Sequence, residues 1–110
     1  MRKEVIKMSR FRTIDVWNKL YGSKENVYDY AGRLMKKSAC ADPYSAYHPT
    51  IDHIRPLCEG GCDVIENIEV CHRDTNREKA NNFPHWHTNG NIFRAERVKG
   101  NRRSYKIVRI

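Results

Sequence analysis

The sequence lacks the features that would indicate a membrane or secreted protein. No apolar run approaches the length needed to cross a membrane, and the basic N-terminus lacks the apolar segment of a signal peptide. We therefore expect a cytoplasmic protein with no membrane partner. Because cytoplasmic thiols stay reduced, the four cysteines are predicted to be thiols rather than a disulfide framework. They are Cys40, Cys58, Cys62 and Cys71.

Internal repeats and low-complexity tracts are also absent, and acidic residues are few. The chain has 13 Asp and Glu against 21 Lys and Arg, which gives a formal net charge of +8. This balance, with a pI near 9.5, favours a polyanionic partner, nucleic acid first. The alternative is a basic protein without such a partner. At 110 residues the chain is predicted to be one small domain with a modest core.

The N-terminal third is predicted to be a basic arm followed by helices. Residues 1–12 carry five basic residues and are predicted to be frayed or to face DNA. Apolar residues at helical spacing then predict a helical part over 13–38. It consists of one helix over 13–21, ended by Gly22, and a second over 23–38 with lysines in its last turn.

Short strands dominate the remainder of the chain. After a loop over 39–49, residues 51–55 and 65–71 are predicted to be strands separated by a turn that contains paired glycines. The C-terminal segment 91–110 holds two strand-like stretches around a basic turn, which predicts a β-hairpin.

One further helix is predicted between these strands. Thr75 and Glu78 match a capping box, which places the start of the helix near Asp74. It has to end by Asn82 because Pro84 follows. The predicted class is therefore α+β: two helices, then strand, turn, strand and helix, then a hairpin.

Polar residues occur at unusual positions in the strand–turn–strand–helix segment. Asp52 and His53 close its first strand. Asn67 opens the second strand, 14 residues after His53, and Asn76 lies nine residues further on in the first turn of the helix. Lys79 follows three residues later.

This pattern resembles the motif of HNH endonucleases, the ββα-metal fold. The resemblance rests on the span IDHIRPLCEGGCDVIENIEVCHRDTNREKANN, with an Asp-His pair, an Asn and a second Asn on the helix. In spacing and in the run RDTNREKANN it is most similar to the HNH domain of RNA-guided CRISPR effectors and related homing-type nucleases, and also to small phage-type HNH proteins. The motif covers residues 50–82, and the rest of the chain matches only loosely. The resemblance implies a ββα-metal core, preceded by two helices and followed by a basic hairpin, in a bacterial or phage-infected host cell.

Phosphodiester hydrolysis explains these residue types, because it needs a base for the attacking water and a cation for the developing charge. His53 suits the base, since a neutral imidazole is available near physiological pH. Asp52 and Asn76 offer hard oxygen ligands, which suit Mg²⁺ or Mn²⁺ better than zinc. The resemblance implies that Asn67 ties the histidine loop to the second strand and orients the imidazole. It also implies that Lys79 approaches the phosphate or steadies the helix, and that DNA is cleaved with one metal ion.

Each site residue also has a simpler interpretation. The Asp-His pair could be a hydrogen-bond motif of a loop, Asn67 a turn residue and Asn76 a helix-start residue. Lys79 could be a solvated helix position. In a regular strand, neighbouring side chains point to opposite faces, so Asp52 and His53 can serve one centre only if the strand ends there.

Basic residues beyond the motif centre are candidate contacts to nucleic acid. The C-terminal hairpin is rich in cations, and the alternative for it is a solvated edge protected by charge. His72 precedes the predicted helix; it could also be a metal ligand, but a DNA contact or a supporting role is favoured. High sequence specificity would require a homodimer or a protein partner. The predicted nucleic-acid contacts are Arg55, His72, Arg73, Arg77, Arg97, Arg102 and Arg103.

Two other functions stay open at the level of the sequence. One is a catalytically silent nucleic-acid-binding module of the same fold; the other is a structural zinc module. The paired CxxC motifs that hold zinc in many HNH proteins are absent, although a site built from all four thiolates is geometrically possible. RNA is a further possible substrate, since the same chemistry serves either backbone. His85 and His87 are expected to be surface or packing residues.

Overall fold

The computed structural model describes residues 9–110, so the arm predicted over 1–12 lies mostly outside the described residues. Within them the chain forms two α-helices and seven strands, which are paired in three small antiparallel sheets, and this confirms the α+β class. The longer elements are α1 Thr13–Tyr21, β1 Asn26–Tyr28, β2 Leu34–Lys36, β3 Pro49–His53, β4 Ile68–His72, α2 Arg73–Lys79, β5 His85–Thr88, β6 Asn91–Arg97 and β7 Tyr105–Arg109.

Helix α1 forms where the apolar spacing predicts it. Val16 and Trp17 are fully buried, and the Trp17 Nε1 donates a hydrogen bond to the carbonyl of Lys24 at 2.9 Å. Gly22 ends the helix with φ +64°, a conformation that glycine adopts without steric cost. Among residues 9–110, no helix is long and apolar enough to span a bilayer.

The second predicted helix, over 23–38, is wrong. This segment is a β-hairpin in which β1 pairs with β2, with Val27 opposite Met35. The turn between the strands explains the difference, because the Asp29 carboxylate accepts hydrogen bonds from the backbone N–H groups of Ala31 and Arg33. The side chain thereby satisfies donors that a helix would have paired with its own carbonyls.

Strands β3 and β4 form a two-stranded sheet with α2 packed on one face. The predicted strand over 51–55 starts two residues earlier and ends at His53. The predicted strand over 65–71 begins only at Ile68, because a single 3₁₀ turn occupies Ile65–Asn67. Asp52 and Glu69 are opposite each other in the register, and alternation places both on the same face of the sheet.

Helix α2 begins at Arg73, one residue before the predicted start, and its capping differs from the capping box. The ring of His72 is the N-cap: its Nδ1 accepts from the backbone N–H of Asp74 at 2.9 Å. Thr75 is buried, and Glu78 instead accepts hydrogen bonds from Thr88 and from the backbone N–H of Asn89. The helix ends at Lys79, within the limit that Pro84 predicts.

The C-terminal hairpin is confirmed as β6 and β7, but the sheet also contains a third strand, β5. In β5 the exposed His85 and His87 alternate with the buried Trp86 and Thr88, as expected for a strand with one buried face. The two exposed histidines agree with the prediction of surface residues.

Two apolar clusters stabilise these layers. The first packs α1 and β2 against β4, through Val16, Trp17, Met35, Ile68 and Val70. The second lies under the three-stranded sheet. It contains Ala31, Ile54, Trp86, Phe93, Ala95 and Tyr105. Ile54 directly follows β3, so the chain crosses from one cluster to the other at the point where the candidate site lies.

Candidate active site

Asp52 lies on the face of β3 that packs against α2, where it is 8% exposed. Its Oδ2 is 3.1 Å from the Nζ of Lys79, but that buried oxygen receives no well-directed hydrogen bond from residues 9–110. Burial raises the pKa of Asp52, although the Lys79 ammonium and the neighbouring His53 act in the opposite direction. The buried carboxylate is therefore paired with a buried ammonium.

His53 ends β3 and turns its ring toward a different partner. Its Nε2 lies 2.8 Å from Oδ1 of Asp63, which also accepts a 2.7 Å hydrogen bond from the hydroxyl of Ser9. A carboxylate can only accept, so Nε2 carries the proton and Nδ1 is left as the basic nitrogen. The contact fixes both the orientation and the tautomer of the imidazole.

The same contacts stabilise the ionised form of Asp63. Partial burial acts to raise the pKa of Asp63, but hydrogen bonds from the Arg10 backbone N–H, the His53 ring and the Ser9 hydroxyl outweigh it and lower that pKa to about 2. Asp63 is thus a carboxylate throughout the physiological range.

Asp52 and His53 meet at one cavity even though they are neighbours in a strand. The cavity has a volume of about 210 Å³, and its lining also includes Pro56, Leu57 and Asn81. Both residues are still paired with β4, so alternation directs the Asp52 side chain toward Lys79 on α2 and the His53 ring toward Asp63. What they share is the lining of this cavity.

Asn67 holds the loop that follows His53. Its Oδ1 accepts from the backbone N–H of Arg55 at 2.9 Å, and its Nδ2 donates to the carbonyls of Arg55 and Cys62. The side chain is fully buried, so these three bonds are shielded from water. Asn67 therefore ties the histidine loop to the start of β4, as the family resemblance implies.

The paired glycines let this loop close. A Cβ on Gly61 would overlap the carbonyl oxygen of Arg55, so no other residue fits at this close approach. Gly60 has φ +90°, and its backbone lies beside the Arg55 guanidinium. Through this turn the backbone of Gly60 and Gly61 packs against Arg55. The chain then reaches Asp63, whose side chain contacts His53.

Asn76 lies on α2 and faces β3. Its Nδ2 donates to the hydroxyl of Thr50 at 3.0 Å and to the carbonyl of Ile51 at 3.2 Å. Both bonds use the amide nitrogen. The amide oxygen, Oδ1, receives no hydrogen bond from residues 9–110 and is free to accept one. The side chains of Thr50 and Asp52 point to the same face of β3, because the two residues are two positions apart. Asn76 therefore packs on the face of β3 that carries Asp52.

Lys79 is fully buried, which excludes the solvated helix position left open by the sequence. Its Nζ donates to the carbonyl of His53 at 3.1 Å and lies 5.0 Å from the ring centroid of Trp86, in addition to the contact with Asp52. The ammonium thus links α2 to the end of β3. Contact with a phosphate stays a prediction, and in this structure the ammonium faces the carboxylate of Asp52.

Three predicted nucleic-acid contacts lie around the start of α2. His72 is buried, and its Nε2 donates to the carbonyl of Ala46 at 2.6 Å while Nδ1 caps the helix. With both nitrogens occupied, His72 is not available for the predicted contact. Arg73 donates to the carbonyls of Pro43 and Ser45, whereas Arg77 is exposed and forms an ion pair with Asp74.

No protein-family model, characterised protein or solved structure matches this chain. The family resemblance therefore rests on the motif residues of the sequence.

The other four predicted contacts converge elsewhere. Arg55, Arg97, Arg102 and Arg103 line one cavity between the histidine loop and the β6–β7 turn. Arg55 lies on one side of this cavity, and the three other arginines, which follow it by 42 residues or more, lie on the other side. Only the folded chain brings them together.

The cysteines have different environments. Cys58 is exposed and Cys71 is buried, and all four side chains are free thiols. Among residues 9–110, no group of three or more His, Cys, Asp or Glu side chains is arranged to hold a metal ion. That finding concerns these four residue types, whereas the predicted pair for Mg²⁺ includes the amide of Asn76.

Sequence reasoning missed Asp63, Asp29 and Glu69. Asp63 follows the paired glycines, but nothing local indicates that it would contact His53. Asp29 lies in the segment DYAG, whose Asp and Gly are typical of a turn and were available as a signal. Glu69 is a β4 residue opposite Asp52, and only the strand register reveals that the two acids are neighbours.

Proposed function

We propose that this protein is a metal-dependent HNH endonuclease that hydrolyses phosphodiester bonds in DNA. The observation that carries the proposal is the pairing of two groups at one cavity. There, the imidazole of His53 is oriented by a carboxylate, and the buried carboxylate of Asp52 is paired with the Lys79 ammonium. A positioned base beside a buried carboxylate suits metal-assisted hydrolysis.

The order of the elements supports a ββα-metal core. Strands β3 and β4 are antiparallel, and α2 follows β4 without a loop. Asn76 and Lys79, both on α2, contact β3 directly. The side chains of the motif therefore come from β3, from the 3₁₀ turn before β4 and from α2.

The residues around His53 define its role. Asp63 holds Nε2–H, so Nδ1 takes the proton of the attacking water, and the positive charge that develops on the ring is stabilised by the carboxylate. Asn67 keeps the following loop in place through its three hydrogen bonds. Asp63 and Asn67 are positioning residues, because they act through His53 and its loop.

Asp52 and Asn76 would hold the divalent cation. Both offer oxygen atoms, and the buried Oδ2 of Asp52 already has a cation, the Lys79 ammonium, at 3.1 Å, whose place a hard cation such as Mg²⁺ or Mn²⁺ would take. When bound, such an ion supplies charge stabilisation at the phosphate. Water and substrate oxygens complete the shell, because two protein ligands are few for Mg²⁺.

A second candidate function is a silent nucleic-acid-binding module. The observation in its favour is the ammonium of Lys79, which lies 3.1 Å from Asp52 and already supplies a positive charge there. A protein in which this ion pair replaces the metal would bind DNA through its arginines and leave it intact.

Cleavage of supercoiled plasmid in EDTA, Mg²⁺ or Mn²⁺ tests the proposal. We expect nicking or linearisation with a divalent ion, and a loss of about 10²- to 10⁴-fold in rate for His53→Ala. Asp63→Ala should lose about 10- to 100-fold, since the ring is no longer oriented, and Asp63→Asn should lose less because the amide oxygen still accepts from Nε2. His87→Ala, which removes an exposed histidine of β5, is the matched control and should cleave at the wild-type rate.

Two outcomes would count against the nuclease. Equal cleavage by wild type and His53→Ala, in preparations in which both proteins are equally pure, would remove the base assignment. Metal-independent DNA binding with no cleavage in any divalent ion would favour the silent module instead.

A further inference from the structure

A cavity of about 610 Å³ separates the histidine loop from the β6–β7 turn, and four arginines line it. Arg55 comes from the loop, and Arg97, Arg102 and Arg103 come from the hairpin. No aspartate or glutamate contributes to the lining. The cavity is thus a concentrated positive surface outside the pair of Asp52 and His53.

Two of these guanidinium groups are held in place by one phenol. Arg55 donates to the hydroxyl of Tyr105 at 2.8 Å, and Arg97 lies within 3.4 Å of the same oxygen. Arg55 also donates to the carbonyl of Glu59 at 2.7 Å and lies 5.2 Å from the ring centroid of Phe83. Tyr105 is 8% exposed, so it is a fixed anchor.

This arrangement brings like charges together without a counter-ion. Among residues 9–110, no carboxylate lies within salt-bridge distance of Arg55, Arg97, Arg102 or Arg103, while other arginines of the chain do form ion pairs. Two guanidinium groups that share one oxygen repel each other. An anion bound between them would offset that repulsion, and the donors are already oriented to receive it.

We propose that Arg55, Arg97, Arg102 and Arg103 form a binding site for the phosphodiester backbone of duplex DNA, with Tyr105 as the residue that positions Arg55 and Arg97. This assignment deepens the proposed function by placing substrate phosphates at a particular surface. Guanidinium groups form paired hydrogen bonds to phosphate oxygens, and the exposed Arg102 and Arg103 extend the site along the turn.

Arg55 belongs both to the arginine site and to the loop that carries the candidate base. Arg55 lies two residues after His53, and its backbone N–H and carbonyl are both bonded to Asn67. A phosphate held by Arg55 is therefore at a fixed place relative to the loop that carries His53. Backbone contacts of this kind set the position of the duplex and do not read its sequence.

Fluorescence anisotropy with a short labelled DNA duplex in EDTA measures binding without hydrolysis. We expect Arg97→Gln and Arg102→Gln each to weaken binding by about tenfold and to reduce the salt dependence by about one ion. Tyr105→Phe keeps all charges but frees the two guanidinium groups, so binding should weaken by about threefold. Lys106→Gln is the matched control: Lys106 lies next to Tyr105 in β7, its side chain points to the opposite face, and its loss should change binding by less than about twofold.

The outcomes separate this site from general attraction and from the nuclease itself. Equal weakening by Lys106→Gln and Arg97→Gln would overturn the site, as would wild-type binding by Arg97→Gln and Arg102→Gln. Unchanged binding by Tyr105→Phe would overturn the positioning role of Tyr105. If the wild type binds through these arginines but never cleaves DNA, the inference stands and the nuclease proposal fails.

Discussion

Lys79 and Asp52 are one buried ion pair with two consequences. The pair stabilises the contact between α2 and β3, because each charge would be costly to bury alone. It also places a monovalent positive charge beside the carboxylate that is proposed to hold a divalent ion. In the proposed nuclease, the stability of the protein and its affinity for the divalent ion would therefore be linked through one side chain.

Replacement of the lysine should reveal this link. Lys79→Met leaves Asp52 buried without its partner, and we expect the free energy of unfolding to fall by about 3 kcal/mol. Mn²⁺ should restore more stability to this variant than to the wild type, since the ion can replace the ammonium. Urea unfolding with and without Mn²⁺ measures both effects.

Two further variants control this experiment. Lys19→Met removes an exposed lysine of α1 and should leave stability almost unchanged. The double variant Asp52→Asn/Lys79→Met should recover part of the lost stability, because no buried charge remains. Equal stability of Lys79→Met and the wild type would contradict the view that the pair contributes to the fold.

Among single residues, the family resemblance pointed to Asn67 but not to Asp63. It implied that Asn67 ties the histidine loop to the second strand, and three hydrogen bonds of Asn67 agree with that role. Asp63 is ten residues from His53 in a glycine-rich turn, and its contact depends on the path of that turn. A sequence pattern gives the spacing of residues along the chain, whereas a side-chain contact also depends on where each side chain points in the folded structure.

Among elements, the hairpin of β1 and β2 shows how a turn can override apolar spacing. The positions that predicted a helix over 23–38 are equally compatible with a short strand pair, in which Met35 reaches the core and Val27 is half-buried. Asp29 decides between them, because it accepts from two N–H groups of its own turn and from the backbone N–H of His72 in β4. The third of these bonds is tertiary, so local propensity could not include it.

Asp29 should therefore be among the most sensitive polar positions. Asp29→Ala removes the acceptor of three N–H groups, two of which lie in buried surroundings, and we expect a loss of about 2–4 kcal/mol in the free energy of unfolding. Asp42→Ala is a suitable comparison, since Asp42 also caps a turn through the N–H of Tyr44 but is exposed. That variant should lose about 0.5 kcal/mol or less by thermal or urea unfolding. Equal losses in the two variants would show that Asp29 is an ordinary turn residue.

For the molecule as a whole, the buried acids make stability depend on pH. Burial, together with the nearby Asp29 and Asp52, raises the pKa of Glu69 from 4.5 to about 7. Between these two values the folded protein keeps a proton that the unfolded chain has released. The free energy of unfolding should therefore fall as the pH rises from about 4.5 to about 7, and this contribution should be constant above that range.

Removal of the titrating group should flatten this dependence. Glu69→Gln is expected to be more stable than the wild type at pH 8, by about 1–3 kcal/mol, and to lose the decline between pH 4.5 and 7. Glu66→Gln, which neutralises an exposed acid three residues away, serves as the control and should keep the wild-type profile. Unfolding curves over this pH range decide the question, and a decline that persists in Glu69→Gln would assign it to another group.

The amino-acid sequence alone was sufficient for α1, the strand–turn–strand–helix segment and the C-terminal hairpin. Their signals are local: apolar periodicity, and the positions of glycine and proline. Only the tertiary structure brings Asp63 to His53, buries Lys79 against Asp52 and gathers arginines from two segments around Tyr105. These contacts join residues from different segments of the chain. Their contribution to stability depends on the burial and the orientation of the side chains, which only the packed chain determines.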